Sequence, residues 1–147
     1  MEVVGAVSSI AGIASLVGQS LSGLSSLYNF YKDLREASKT ADQFLRAVTS
    51  LKKTIEEVEG LIACINGISD TSTEGVLASL AIHIEDCARD IARWEVEAKT
   101  CHPGGDGMKA GFKKFLVAVK KQGVKDVFQE MAAHKDSISL SLATTGR

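Results

Sequence analysis

Cys101 and His102 stand side by side in the run TCHPGGDG, a thiol next to a base, which is the pairing that nucleophilic catalysis uses. Neighbours in a loop rarely face each other, however, and no third residue at a useful spacing would orient the histidine. The run GGDGMK, residues 104–109, offers glycines and a lysine to a phosphate, yet it misses the GxxxxGK[ST] spacing and follows no buried strand. A connector is the expected role. His83, His102 and His134 are far apart and none belongs to an HExxH frame, so no metal ligands share a helical face. Cys64, Cys87 and Cys101 are odd in number and form neither CxxC nor CxxxC. That pattern argues against a disulfide framework and fits a reducing compartment. Cys87 is expected on an apolar stripe, packed as a small hydrophobe.

The acids of EDCARDIARWEVE alternate with Arg89 and Arg93, and Lys99 follows. They read as a solvated, ion-paired helix face rather than as an acid and base pair. No enzyme is expected, and no catalytic residue, cofactor or metal.

One cluster of charge stands out. Lys109, Lys113, Lys114, Lys120, Lys121 and Lys125 are answered within their own stretch by Asp126 alone. Such a face suits anionic lipid headgroups, each nearby lysine contributing on the order of 1 kcal/mol. Nucleic acid is not expected as a partner, because Phe112 and Phe115 belong to the opposite, core-facing stripe and leave no aromatic side chain among the lysines. The chain as a whole carries a net charge of only −1, which also excludes a general polyanion binder.

Helices must position all of these residues. Val3, Val7, Ile10, Ala14, Val17, Leu21, Leu24, Tyr28 and Tyr31 recur at steps of four and three, and a second row (Ile13, Leu16, Leu27, Phe30, Leu34) broadens the stripe. A second helix opens at a Thr40/Gln43 capping box and carries Phe44, Val48, Leu51, Ile55, Val58, Ile62 and Ile65. Its outer face offers Lys52 to Glu56 and Lys53 to Glu57. A Thr71/Glu74 box starts the third, with Leu77, Leu80, Ile84, Cys87, Ile91, Trp94 and Ala98 on its stripe. Beyond the loop, Phe112, Phe115, Leu116 and Val119 begin a fourth, and Val124, Val127, Phe128, Met131 and Ile138 continue or restart it across Gly123. At 147 residues the expectation is one all-α domain, a bundle of four to five helices over about 2–36, 41–66, 72–99, 109–122 and 124–141, with 143–147 a flexible tail.

The first of these helices is peculiar, because residues 3–31 contain no charged side chain. Glu2 stands where a secretion signal would be basic, so the stretch is not read as one. Its roughly 29 residues would make a rod of about 43 Å, longer than the roughly 30 Å hydrocarbon core of a bilayer. Seven or so serines keep it far less greasy than a dedicated anchor. Small residues recur at four-residue intervals (Ala14, Gly18 and Ser22; Ser8 and Gly12; Gly5 and Ser9), a spacing that lets helices approach closely in lipid or inside a bundle.

The opening MEVVGAVSSIAGIASLVGQSLSGL, the later IEDCARDIARW and the closing MAAHKDSISLSL together resemble the HeLo-like N-terminal domain of fungal STAND (NLR-type) receptors and cell-death proteins. The resemblance implies a cytoplasmic helical bundle that oligomerises on a signal, relocates to the plasma membrane and permeabilises it. By the same resemblance the inserting helix comprises Val3, Val4, Val7, Ile10, Ile13, Leu16, Val17, Leu21 and Leu24, with Gly5, Gly12 and Gly18 as its packing glycines. The implied partners are anionic membrane lipids and further copies of the chain. The receptor domains that normally follow are not in this sequence, which suggests a domain excised from a longer protein. The alternative expectation is a non-lytic module that docks a partner helix.

Overall fold

The computed structural model describes residues 10–36, 38–65, 74–101, 108–119 and 126–145. Its regular structure there is helical throughout: α1 (Ile10–Tyr31), a short 3-10 turn (Lys32–Leu34), α2 (Lys39–Ile65), α3 (Glu74–Thr100), α4 (Met108–Ala118) and α5 (Val127–Thr145). The expected all-α bundle is what the chain forms. Helix α1 packs on α2 and α3, and α5 closes the ring by packing on the same two helices, while the short α4 leans on α3.

Helices α2 and α3 follow their apolar spacing. Phe44, Val48, Leu51, Ile55, Val58 and Ile62 on one, and Leu80, Ile84, Cys87, Ile91, Trp94 and Ala98 on the other, are all buried. The side chains of Ile65 and Leu77 lie outside the described set. In α1 the buried seam is Ile13, Val17, Ser20, Leu24, Leu27 and Tyr31, continuing to Leu34. The steps of four and three hold, but the seam is rotated from the row that contains Ala14, Leu21 and Tyr28. Ala14 is exposed and Leu21 and Tyr28 are only partly buried. Without charges to mark a wet side, hydropathy alone does not choose between neighbouring rows.

The helix ends differ from expectation where side chains supply caps. Helix α2 begins at Lys39 because the Ser38 hydroxyl accepts the Ala41 amide at 3.2 Å, two residues before Thr40 and Gln43 would act. At α5 the Asp126 carboxylate accepts the Gln129 amide at 3.0 Å, so that helix starts at Val127 and runs on to Thr145, through most of the expected tail. Thr71, Gly123 and Val124 lie outside the described residues.

Aromatic rings seal one end of the bundle. Tyr31 of α1 lies 4.9 Å from Phe112, 5.4 Å from Phe115 and 5.6 Å from Phe44, centroid to centroid. Phe44 meets Phe112 edge-on at 5.6 Å, so three helices share one ring cluster, worth roughly 0.5–1.5 kcal/mol per pair beyond area burial. The placement of Phe112 and Phe115 in the core is as expected. Burial, with a smaller push from Cys101, drives the Tyr31 phenol well above the ordinary range.

Candidate functional site

The site with a functional reading is the outward face of α1 and what it rests on. Helix α1 has no acidic residue in its first turn and no basic residue in its last, and its sequence IAGIASLVGQSLSGLSSLYNFY is uncharged throughout. Ala11, Ala14, Ser15, Gly18, Gln19 and Ser22 are exposed. A solvent-facing helix surface of this size usually carries charge, and this one carries small side chains at three- and four-residue spacing. At Gly18 an added Cβ would meet nothing within 4 Å, so this glycine makes no close approach inside the bundle.

The close approach falls five residues on, at Gly23. A Cβ there would sit 2.5 Å from Ile91 Cγ2, so only glycine lets α1 lie this near α3. Gly23 was not among the expected packing glycines. A cleft of about 480 Å3 opens beside it, lined by Gly18, Ser22 and Gly23 of α1 and by Ala88, Ala92 and Glu95 of α3. Deeper in the seam, the Ser20 hydroxyl is buried and finds no hydrogen-bond partner among the described residues.

The residues expected to insert are divided by the fold. Ile13, Val17 and Leu24 are fully buried, Leu16 and Leu21 are packed partly against the core, and Gly12 is half-buried. Ile10 opens α1, while Val3, Val4, Gly5 and Val7 lie outside the described residues. Among the described residues no helix is long and apolar enough to cross a membrane. With 22 residues, or about 33 Å, α1 has the length; Gln19, Asn29 and the serines remove the apolarity. Of the lysine cluster, Lys113 and Lys114 are exposed on α4, and Lys109 stands in its first turn. Lys120, Lys121 and Lys125 lie outside the described residues.

The acidic stretch of α3 is in part the solvated, ion-paired face expected, with Arg89 3.2 Å from Asp86 and Lys99 3.7 Å from Glu95, while Asp90 and Arg93 turn towards α5. Glu130 of α5 is only 5% exposed; its Oε1 accepts Arg93 Nη2 at 2.8 Å and the Trp94 indole at 3.1 Å. Arg93 also reaches Asp90 at 3.7 Å, and His134 Nε2 lies 2.7 Å from Asp90 Oδ2. Together they clamp α5 to α3 at a cavity of about 380 Å3. The indole gave a signal, since a buried tryptophan N–H needs an acceptor. Its acceptor stands 36 residues away, beyond any local pattern. Among the described residues His134 meets Asp90 and no hydroxyl or thiol, and no group of three His, Cys, Asp or Glu side chains gathers to hold a metal ion.

Two of the three thiols, Cys87 and Cys101, are held towards the protonated form. Burial, then Asp90 and Asp86, pushes the Cys87 thiol up to about 12. Cys101 is raised by its surroundings and by Glu97, which Lys114 offsets in part. His102 lies outside the described residues. In comparisons with known proteins, the chain matches no family model, no curated sequence and no solved structure.

Proposed function

We propose that this chain is a HeLo-like effector domain that stays cytoplasmic as a bundle, oligomerises on a signal, and permeabilises the plasma membrane with α1. The supporting observation is the uncharged outward face of α1 at Ala14, Gly18 and Ser22, which the fold leaves uncovered. Small residues at this spacing let helix backbones approach closely, and in lipid their hydroxyls find acceptors on a neighbouring helix. A lone α1 is too polar to span; several copies that shield one another's serines remove that objection. Lys109, Lys113, Lys114, Lys120, Lys121 and Lys125 would meet anionic headgroups, and the mechanism has no catalytic step. A docking module for a partner helix is the competing reading, favoured by the small-residue cleft between α1 and α3.

Gly18→Glu tests the proposal, because the site has room and the fold does not depend on it. The variant is expected to melt within a few degrees of the parent and to lose at least tenfold in dye release from vesicles containing phosphatidylserine. Release undiminished in a folded Gly18→Glu variant would refute the role of this face.

A further inference from the structure

A separate region of the α1/α2 side carries chemistry that neither the lysine cluster nor the α1 face uses. A cleft of about 500 Å3 is lined by Arg35, Asp42, Arg46, Thr49, Ser50 and Lys53. A second, of about 400 Å3, adjoins it through Thr49 and is walled by Ser25, Tyr28 and Lys52. Four cations thus line the pair of clefts against one carboxylate; Glu56 and Glu57, a turn further along α2, line neither.

The two arginines are drawn together by Asp42. Arg46 Nε donates to Asp42 Oδ2 at 2.9 Å, and Arg35 Nε lies 4.0 Å from Asp42 Oδ1, so one carboxylate draws both guanidinium groups to the same mouth. Arg35 also donates through Nη2 to the Tyr28 hydroxyl, its guanidinium carbon 5.9 Å from the centre of that ring. Each arginine keeps further N–H groups for another acceptor, in the fork that matches phosphate oxygens. Tyr28, having accepted from Arg35, still has its own proton to donate.

We infer that these adjoining clefts form a binding site for a multiply phosphorylated ligand, with Arg35, Arg46 and Lys53 on one phosphate group and Lys52 with Tyr28 on a second. Two basic mouths joined at Thr49 suit two phosphates on one small scaffold better than a single anion. Inositol polyphosphates, free or as lipid headgroups, have that chemistry. The site is independent of permeabilisation by α1 and stands or falls without it.

Calorimetry with inositol hexakisphosphate reads the soluble source. Flotation with phosphatidylcholine vesicles holding phosphatidylinositol 4,5-bisphosphate, against phosphatidylserine vesicles of equal charge, reads the lipid source. Binding is expected in at least one arm, weakening as salt rises. Arg46→Ala/Lys53→Ala should reduce it at least tenfold with the helical signal and melting temperature retained. Lys99→Ala/Lys135→Ala removes the same charge from exposed positions on α3 and α5 and should change it less than twofold. No binding in either arm, or equal loss in the two double variants, overturns the assignment.

Discussion

Two glycines one helical turn and a residue apart give the sharpest test of how α1 is held. Gly23→Ala puts a methyl 2.5 Å from Ile91 Cγ2, whereas ordinary carbon contacts lie at roughly 3.5–4 Å. Relief needs a shift of about 1 Å, and Ile91 is buried and β-branched, so its methyl does not swing aside freely. Overpacking of this kind costs about 1–3 kcal/mol, offset by about 0.5–1 kcal/mol of helix propensity gained over glycine. Gly18→Ala meets nothing and gains propensity alone. The two variants should therefore differ by about 1–3 kcal/mol with opposite signs, a gap of roughly 3–9 °C in melting temperature for a domain of this size. Urea unfolding of both, and of Gly23→Ala in an Ile91→Ala background, measures it. The cost at Gly23 should shrink by about 1–2 kcal/mol once the isoleucine is gone. Equal shifts for the two glycines, or a Gly23 cost that ignores Ile91, would show that the close approach does not constrain the docking. If α1 is the effector, Gly23→Ala should also raise vesicle release.

The cysteines predict a graded response to a thiol reagent at pH 8: Cys64 is exposed and should react first, Cys101 more slowly, and Cys87 only on unfolding. Reaction of all three at one rate in the folded protein would contradict the burial. Because folding raises the Cys87 value from about 9 to about 12, the folded state binds the extra proton between those limits. Stability is therefore expected to fall as pH rises across that window, and Cys87→Ala should flatten the slope of urea midpoints against pH. Glu130→Ala should cost about 1–3 kcal/mol, since it leaves the buried Trp94 indole without its acceptor and Arg93 with only Asp90 and the Val119 carbonyl, and Glu130→Gln less, because its amide oxygen still accepts. A urea midpoint unmoved by Glu130→Ala would show that the clamp carries no net stability.

Helices α2 and α3 were legible because every position of the expected rows from Phe44 to Ile62 and from Leu80 to Ala98 is buried, Leu45, Thr54 and Ala81 only widening them, and charges mark the far side. Helix α1 was legible as a helix but not in its rotation: Ser20 and Gly23 point inward, and a hydropathy pattern has no reason to put them there. Small size is what the Gly23 position demands, and that becomes visible only with Ile91 opposite. In α5 the buried row contains Glu130 and the half-buried His134 as well as Val127, Met131 and Ile138, so an apolar stripe looks incomplete until Arg93, Trp94 and Asp90 of α3 are brought to it. The two adjoining clefts were invisible for the same reason, as α2 is joined in one by α1 and in the other by Arg35 after the 3-10 turn.

The two halves of α1 are not held alike, and this bears on how the helix would leave the bundle. Towards its end, Leu24, Leu27, Tyr31 and the following Leu34 are buried, with Tyr31 inside the ring cluster and Tyr28 hydrogen-bonded to Arg35. Towards its start, the fully buried apolar side chains among those described are Ile13 and Val17, followed by the unpartnered Ser20 hydroxyl. At about 1.5–3 kcal/mol for each large apolar side chain buried, Leu24, Leu27 and Tyr31 hold the later half more strongly than Ile13 and Val17 hold the earlier one, and Leu34 just beyond the helix adds to that end. The serine adds no apolar burial to the weaker half, and its buried hydroxyl finds no partner among the described residues. Detachment should therefore start at the Ile10 end and stop near Gly23, beyond which each further turn must pull an aromatic or leucine from the core. Amide exchange is expected to be fastest at residues 11–17 of α1 and slowest at 24–31, and if the proposed oligomers form on membranes they should extend the fast region towards Gly23. Uniform protection along α1 would mean that the helix comes away as one unit or not at all, and that the seam's composition does not set where it opens.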